Sequence, residues 1–557
     1  MNRHLALGID FGSLSGRAML VDLATGAEEG LVVCPYKHGF IEDTLPSGGV
    51  KLPPDWTLQD PADYLDVLAS IPRLLAQSRA DAAEVVGVGI DFTASTVLPV
   101  QADGTPLCFL PAFQSHPHAY VKAWKHHAAQ PYANRISELA RSRGESFLGR
   151  YGGRISSEWL LPKLMQILEE APEVYAAMDR LIEATDWIVE QLTGQERRSS
   201  CAAGYKALWS KRDGYPARGF FTSLDGRLAD VVATKLSPQV YPVGSRAGSI
   251  TAAASALTGL LPGTPVAVGH VDAHVTFPAA GLSRPGQLLM ILGTSTCHLL
   301  LAEEEKAVPG ICGAVEDGIL PGYWGYEAGQ PCVGDLFDWF VRRQVPPAYH
   351  EQAAERSCSI HQVLREKAML LKPGESGLVA LDWWNGNRSV LGDADLSGLL
   401  IGMTLATRPE AIYRSLIEAT AFGSRLIVEQ FEAGGLPVCE IHACGGIAAR
   451  DPFLMQIYAD VLRRPIRVSA SRQAAALGSA LYGAVAAGPE RGGFADIGSA
   501  VQHVPREAGT VYEPDPSREA AYNRLFACYS QLHDWFGRGG HDIMKQLKAL
   551  RLETSLP

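Results

Sequence analysis

Two turns built from glycine and small hydroxyl residues carry the pattern with the clearest chemical meaning. The first is Gly12-Ser13-Leu14-Ser15 and the second, far along the chain, is Gly293-Thr294-Ser295-Thr296. Each follows an apolar run typical of a buried strand. Glycine lets the backbone approach a ligand closely, and the N–H and O–H groups of such turns bind anions. The two turns therefore predict a phosphate group held from both sides.

Two charged residues flank the first turn. Asp10 stands just before it, and a carboxylate beside a phosphate group requires a cation between them. We expect that cation to be Mg²⁺, bound by Asp10 through water. Arg17 is close enough in sequence to contact phosphate, although a surface arginine is an equally good interpretation.

A further carboxylate, Asp272, follows the strand-like run 266–269. Such a group could accept the proton of a hydroxyl that attacks a γ-phosphate. At the ordinary aspartate pKa near 3.9 it would be ionised at pH 7. A loop or helix-capping aspartate is the alternative interpretation. His270 and His274 lie nearby, but they form no HExxH motif and no third ligand is evident, so we expect no metal site there.

Composition and missing motifs exclude several classes of protein. There is no P-loop, and Gly87-Val88-Gly89 opens no complete G-x-G-x-x-G motif. The net charge of −11 argues against general binding to nucleic acid or anionic membranes. No apolar run approaches the roughly 20 residues of a membrane span, no signal peptide is evident, and the ten cysteines are scattered. We therefore expect a cytoplasmic protein with reduced thiols.

The elements that position these residues alternate between strand-like and helix-like stretches, which favours an α/β fold. A length of 557 residues predicts two large domains. We place them at residues 1–262 and 263–557, with the crossing in the Gly/Pro-rich stretch 257–265. A helix is expected at 61–76. Each half opens on a strand and a Gly-hydroxyl turn, as a duplicated nucleotide-binding architecture would.

The chain resembles the FGGY family of carbohydrate kinases, and within it the members that act on L-ribulose. The similarity runs from residue 5 to beyond residue 540, and these segments carry it: Gly8–Ser13, Asp91–Thr96, Trp124–His127, Ser156–Trp159, Ala184–Trp187, Ala203–Lys206, Gly293–His298, Gly325–Gln330, Asp382–Gly386 and Gly445–Ile447.

The resemblance implies an α/β fold of two RNase H-like domains, of the actin-like ATPase type, hinged around a central cleft. It implies that the γ-phosphate of ATP is transferred to the 5-hydroxyl of L-ribulose, giving L-ribulose 5-phosphate in L-arabinose catabolism. Asp272 would be the catalytic base. The sugar would contact Ala94, Trp124, Lys206, Asp272 and Glu327. ATP would contact Asp10, Gly12, Ser13, Ser15, Arg17, Thr294, Gly445 and Gly446, with Mg²⁺ at Asp10.

Two other functions stay open at this point. Another kinase of the same family could act on D-xylulose or a polyol, although Lys206 and Glu327 favour L-ribulose. A non-catalytic, actin-like nucleotide switch is the more distant alternative. A homodimer is compatible with the family, and the sequence leaves the oligomeric state open. Asp451 stands where the family usually has Asn or Ser, so its extra negative charge bears on the nucleotide contacts.

Overall fold

The structure is a computed structural model that describes residues 3–469, 471, 473–503 and 509–555. In the first half, the strands are β1 (Leu5–Phe11), β2 (Ser15–Asp22), β3 (Glu28–Pro35), β4 (Leu58–Gln59), β5 (Val85–Phe92), β6 (Val97–Val100), β7 (Val121–Lys122), β8 (Arg180–Glu183), β9 (Arg198–Ser199), β10 (Val240–Tyr241), β11 (Arg246–Ser249), β12 (Pro265–Ala267) and β13 (His270–Val271). The helices are α1 (Ala62–Ala69), α2 (Ile71–Ser78), α3 (Gln130–Arg143), α4 (Leu160–Glu170), α5 (Pro172–Ala177), α6 (Ala184–Thr193), α7 (Ser200–Lys206), α8 (Arg218–Leu224), α9 (Ala252–Thr258) and α10 (Asp272–Ala279).

The second half continues the alternation. Its strands are β14 (Gln287–Leu292), β15 (Thr296–Ala302), β16 (Gly313–Glu316), β17 (Trp324–Gln330), β18 (Val379–Leu381), β19 (Leu399–Ile401), β20 (Glu440–Cys444), β21 (Ile466–Val468) and β22 (Thr510–Tyr512). Its helices are α11 (Gly334–Gln344), α12 (Pro347–Glu355), α13 (Ile360–Ala368), α14 (Pro409–Ala433), α15 (Gly446–Arg450), α16 (Pro452–Leu462), α17 (Ala474–Ala487), α18 (Ile497–His503), α19 (Glu519–Gly537) and α20 (Ile543–Ser555).

Two mixed sheets repeat one strand arrangement. The first has the order β11-β12-β5-β1-β2-β3, with β13 also paired to β5, and the second has the order β16-β17-β15-β14-β20-β21-β22. In each, a hairpin strand (β1 or β14) pairs antiparallel with the strand that follows it and parallel with a later strand (β5 or β20). This repetition confirms the predicted α/β fold with two related halves.

The central strands of the first sheet are buried on both faces. Every residue of β1 and β5 is buried, which explains their nearly continuous apolar sequences. The predicted helix at 61–76 is two helices, α1 and α2, which meet at Ser70, two residues before Pro72. Pro72 has no backbone N–H to donate to the carbonyl four residues earlier, which accounts for the break.

Helix α17 packs on the first sheet although it comes late in the chain. A Cβ atom at Gly89 would lie 1.8 Å from the carbonyl oxygen of Ser479 in this helix. Gly8 and Gly87 lie equally close to its backbone, with corresponding distances of 1.8 and 2.1 Å. Real Cβ atoms do not approach that closely, so only glycine admits the helix here. The incomplete glycine motif at 87–89 therefore serves helix packing.

The chain does not leave the first sheet at the predicted crossing of 257–265. The strands β12 and β13, which follow it, both pair in parallel with β5, and the second sheet begins only at β14. Glycine and proline mark turns, but they do not determine which sheet the next strand joins. The domain boundary at residues 262 and 263 stays a prediction, and the first sheet extends past it to Val271.

Candidate active site

The first Gly-hydroxyl turn joins β1 to β2 as a tight hairpin. Gly12 N donates to Ser15 O at 3.1 Å, which closes the turn. Two side chains hold it from outside: Gln59 Nε2 donates to Ser13 O at 2.9 Å, and Trp124 Nε1 donates to Ser13 Oγ at 3.0 Å. The predicted phosphate turn and the predicted sugar residue Trp124 are thus in direct contact.

Asp10 and Arg17 face each other across the same hairpin. They are register partners on β1 and β2, and Arg17 Nη1 lies 3.0 Å from Asp10 Oδ2. The Arg17 side chain keeps 31% of its exposure, against 10% for Asp10. A positive group therefore lies beside Asp10 in the protein itself, and it is the more exposed of the two.

Asp91 lies next to Asp10 on the neighbouring strand. The β1–β5 register aligns the two residues, and the side chain of Asp91 is completely buried. Ser479 Oγ of α17 donates to Asp91 Oδ2 at 2.6 Å, while Oδ1 has no hydrogen-bond partner among the described residues. Burial first, and then the nearby charge of Asp10, raise the pKa of Asp91 well above its usual range.

Asp272 is the first residue of α10, at the end of β13 next to β5. Its Oδ1 accepts a hydrogen bond from Ala273 N at 2.7 Å, so the predicted base also binds the backbone of its own helix. Burial and then Asp10 raise the pKa of Asp272 to about 7. Full ionisation at pH 7, expected from the solvated pKa, does not hold for this environment.

Lys206 and Glu327 form a buried ion pair between the two halves. Lys206 is the last residue of α7, and Glu327 lies within β17. Lys206 Nζ lies 3.0 Å from Glu327 Oε2 and 3.3 Å from Glu327 Oε1. Burial lowers the pKa of Lys206, but Glu327 raises it and the net change is upward. Burial raises the pKa of Glu327, but Lys206 and then His274 lower it well below its usual range. Both groups are therefore held in their charged forms.

A second buried lysine supports the predicted sugar segments. Lys163 Nζ, from α4, donates to Ser95 O at 2.6 Å and to Ala123 O at 2.8 Å. These carbonyls belong to the residues next to Ala94 and Trp124 in the chain. Ala94 packs on the apolar cluster that includes Tyr205 and Val271. Lys163 thus fixes two separate segments of the pocket relative to each other.

The second Gly-hydroxyl turn joins β14 to β15 and repeats the first in form. Gly293 N donates to Ser295 O at 2.9 Å, and Val333 N donates to Thr294 O at 2.9 Å, which attaches the start of α11 to the turn. Gly445 lies against this turn: its φ is +98°, and a Cβ atom there would lie 2.4 Å from Leu292 O. Thr294, Gly445 and the exposed Gly446 are thus brought to one edge of the second sheet.

Asp451 has a structural partner in the next helix. Its Oδ1 accepts from Leu454 N at 3.1 Å as the N-cap of α16, and Arg365 Nη1 lies 3.8 Å away. A carboxylate at this position stabilises the start of a helix. The extra charge that departs from the family pattern is therefore compensated locally.

Three supporting residues were missed by sequence reasoning: Gln59, Lys163 and Ser479. Lys163 gave a usable signal, since it is a single charge within the apolar run Leu160–Leu168. A buried lysine requires partners, and here they are backbone carbonyls. Gln59 and Ser479 gave no signal, because their partners lie 46 and 388 residues away.

Comparisons with known proteins agree with this architecture. Models of the FGGY family of carbohydrate kinases match residues 5–277 with the N-terminal domain and residues 288–487 with the C-terminal domain. The chain belongs to the FGGY family of carbohydrate kinases. Members of this family use ATP as the phosphoryl donor, so this FGGY kinase is a phosphotransferase that acts on a sugar.

Several similar proteins are named ribulokinase, among them those of two bacilli. That of Geobacillus thermodenitrificans is 53% identical over 549 residues, covering 98% of this chain and 97% of that protein. That of Bacillus licheniformis is 54% identical over 544 residues, covering 98% of each. A crystal structure of a xylulose kinase from Rhodospirillum rubrum matches with a TM-score of 0.74 at 24% identity, covering 95% of this chain and 98% of that one. This last likeness shows the two-domain kinase fold.

In residues 3–469, 471, 473–503 and 509–555, no helix combines the length and the apolar character that crossing a bilayer requires.

Proposed function

We propose that this kinase transfers the γ-phosphate of ATP to the 5-hydroxyl of L-ribulose and so produces L-ribulose 5-phosphate. The observation that carries the proposal is the identity of more than 50% with two ribulokinases over 98% of the chain. The same proposal assigns the enzyme to L-arabinose catabolism and to the cytoplasm.

The proposed sugar pocket contains Ala94, Trp124, Lys206, Asp272 and Glu327. A neutral polyhydroxy substrate requires several donors and acceptors at fixed positions, next to an apolar surface. The Lys206–Glu327 pair offers both kinds of group in a rigid arrangement, and the half-buried indole of Trp124 offers the surface. Since Lys206 and Glu327 come from different halves, the pocket is complete only when the halves are together.

In the proposed reaction, Asp272 acts as the base. The sugar oxygen attacks the γ-phosphorus, the bond to the β-phosphate oxygen breaks, and ADP leaves with that electron pair. The hydroxyl proton passes to the Asp272 carboxylate. A pKa of about 7 suits this role, because the group is ionised often enough to accept a proton and basic enough to hold it.

The proposed nucleotide contacts are the two turns and the Gly445–Gly446 edge. Gly12, Ser13, Ser15 and Arg17 would bind phosphate from the first sheet, and Thr294 from the second. Gly445 and Gly446 would place bare backbone next to the adenosine. Ser13 and Thr294 add hydroxyl donors to the amide groups of their turns.

The residues present fit a Mg²⁺ ion that arrives with ATP. Among the described residues, no group of three or more His, Cys, Asp or Glu side chains is arranged to hold a metal directly. After burial, the charges of Asp10 and Asp272 raise the pKa of Asp91, the charge of Asp10 also raises the pKa of Asp272, and one Asp91 oxygen has no partner in the described part of the chain. Magnesium in kinase sites takes one or two carboxylates and completes its shell with phosphates and water. Asp10 would hold it through water, and the bound ion would neutralise the transferring phosphoryl group.

The deciding experiment measures ADP release with MgATP, with and without L-ribulose, and with D-xylulose and glycerol in parallel. Strong release with L-ribulose and almost none without sugar supports the proposal. A preference for D-xylulose or glycerol would change the assigned substrate. Hydrolysis of ATP that does not depend on sugar would favour a nucleotide switch. Asp272→Asn should lower kcat by several orders of magnitude while ATP binding is retained. An active Asn variant would overturn the assignment of the base.

A further inference from the structure

A second ion pair joins the two halves beside the proposed sugar pocket. Arg388 Nη2, from the chain between β18 and β19, lies 3.4 Å from Glu158 Oε1, which comes just before α4. Both residues belong to, or closely follow, segments that carry the family resemblance, yet neither has a role in the site described so far. Their side chains keep 30% and 20% of their exposure, so the pair borders accessible space.

Arg388 lies on the same face of β17 as Glu327. A Cβ atom at Gly329 would be 3.6 Å from both Cδ and Nη1 of Arg388. Gly329 is two residues after Glu327 in β17, and alternate residues of a strand point to the same side. Glu327, in turn, binds Lys206 on that side. Arg388 therefore lies on the same side of β17 as the Lys206–Glu327 pair, beside the position two residues after Glu327.

Glu158 is tied to the opposite wall of the pocket. Ser157 Oγ lies 3.4 Å from His127 Nδ1, three residues after Trp124. Lys163, on the first turns of the helix that follows Glu158, bonds the carbonyl of Ala123. The Glu158–Arg388 pair thus connects the Trp124 side of the pocket to the Glu327 side, parallel to the Lys206–Glu327 pair.

The segment that carries Arg388 is held in place from several sides. Asn387 and Asp393 exchange two backbone hydrogen bonds, of 2.8 and 2.7 Å. Lys545 Nζ of α20 lies 2.6 Å from Asp393 Oδ2, and Ser389 Oγ accepts from Gly329 N at 3.2 Å. Since the backbone is held on both sides of Arg388, its side chain starts from a fixed point, and Glu158 is the partner that directs the guanidinium.

The hydrogen bonding of Arg388 is far from complete. A guanidinium has five N–H donors, and within the described residues one long contact, to Glu158, uses one of them. Glu158 likewise keeps acceptor capacity. A neutral sugar carries hydroxyl groups that both accept and donate, so this pair and a row of sugar hydroxyls match each other in chemistry.

We propose that Arg388 is a specificity-determining residue that donates hydrogen bonds to sugar hydroxyls, and that Glu158 is the positioning residue that orients it. The proposal rests on the proposed sugar kinase activity, and it adds the Arg388–Glu158 pair to the walls of the sugar pocket. It assigns to the sugar site two residues outside the predicted set, one from each half of the molecule.

The test compares the KM for L-ribulose with the KM for MgATP in matched variants. Arg388→Gln should raise the KM for L-ribulose about 10- to 100-fold, the usual effect of losing hydrogen bonds from a charged group, with kcat and the KM for MgATP within about threefold. Arg388→Lys should be intermediate, because lysine keeps the charge and loses the planar fork. Sugar binding without ATP, followed by calorimetry, should weaken in the same order.

Glu158→Gln gives the independent readout for positioning. It should raise the KM for L-ribulose by about three- to tenfold, and the double variant should be no weaker than Arg388→Gln alone, since Glu158 acts through Arg388. Arg154→Gln is the matched control: its Nη1 also bonds across the halves, to Gly392 O at 2.7 Å, but it is exposed on the surface. That variant should keep the wild-type KM for sugar.

Three outcomes would overturn the proposal. A wild-type KM for sugar in Arg388→Gln together with a lower melting temperature would mean that the pair only fastens the halves. A loss of kcat at unchanged KM would place Arg388 in the chemical step. Additive effects of Arg388→Gln and Glu158→Gln would remove the positioning role of Glu158. If the wild type prefers another sugar, the proposed function fails by itself, and the KM for that sugar still tests Arg388.

Discussion

The buried Lys206–Glu327 pair allows the sharpest prediction about the site. Its side chains keep 7% and 10% of their exposure, and the closest N–O distance is 3.0 Å. At an effective dielectric constant of about 20, two unit charges at this distance attract by about 5 to 6 kcal/mol. The cost of burying both charges offsets much of that attraction. Removing one partner leaves the other charge buried alone, which typically costs about 3–5 kcal/mol.

We therefore expect Glu327→Gln to destabilise the protein by about 3–5 kcal/mol, measured by urea unfolding monitored with tryptophan fluorescence. The double variant Lys206→Met, Glu327→Leu should recover most of that loss, since an apolar pair avoids the burial of charge. Both variants should lose sugar binding, because the donors and acceptors of the pocket are gone. The double variant should therefore be nearly as stable as the wild type and still fail to bind the sugar.

The pH dependence of this loss of stability follows from the pKa shifts of Glu327 and Lys206. The lowered pKa of Glu327 contributes stability above its unfolded value near 4.3, which is lost as the pH falls through the folded value. The raised pKa of Lys206 contributes stability below about 10.4, lost as the pH rises through the folded value. The loss in Glu327→Gln should therefore be fully present at about pH 5 to 6. It should shrink towards about pH 9, because burial without Glu327 lowers the pKa of Lys206 and this residue then escapes the cost of its charge by losing its proton.

A surface pair provides the control. Asp338 and Arg342 are four residues apart on α11 at 2.8 Å, with 49% and 73% of their side-chain exposure. Asp338→Asn should change stability by at most about 0.5 kcal/mol. The reasoning is refuted if Glu327→Gln costs no more than this control, or if the double variant is as unstable as the single one.

Three other predictions concern the base, the helix on the first sheet and the cap near the nucleotide edge. The value of kcat/KM for the sugar should fall about tenfold per pH unit below about pH 7, where burial and Asp10 place the pKa of Asp272, and a flat profile to about pH 5.5 would contradict its role. Gly89→Ala should cost about 2 kcal/mol or more in urea unfolding, because its Cβ would meet the backbone of α17 at 1.8 Å; Gly226→Ala, with nothing within 4 Å, should be nearly neutral. Asp451→Ala should cost about 1 kcal/mol through the lost cap and leave the KM for ATP within about twofold; a larger change in KM would show that the carboxylate acts on the nucleotide.

The local sequence pattern was enough to predict features that are formed by residues close together in the chain. The two Gly-hydroxyl turns were expected from a strand, a glycine and small hydroxyl residues, and both are tight hairpins closed by a backbone hydrogen bond. The pairing of Asp10 with Arg17 was not predicted, although it follows from the register of the same hairpin. These features involve contacts within seven residues, where strand geometry alone limits the choices.

Contacts between distant segments could not be derived in the same way. Lys206 and Glu327 were singled out one at a time, and nothing in the spacing of 121 residues indicated that they pair. Gly87 and Gly89 resembled part of a dinucleotide motif, but their partner is the backbone of α17, almost 400 residues later. Which strand or helix covers a glycine is a property of the tertiary fold, and periodicity carries no information about it.

The hydrogen bond between Trp124 and Ser13 links the two substrate sites physically. The indole nitrogen is a donor only, so Ser13 Oγ must accept, and the hydroxyl proton of Ser13 stays available for another acceptor. In the roles we propose, that acceptor is a phosphate oxygen and Trp124 is a wall of the sugar pocket. The residue that contacts the sugar then also sets the direction in which Ser13 donates. A sugar that displaces the indole would leave this hydroxyl free to rotate, so the two substrates share a positioning contact and do not bind to independent surfaces.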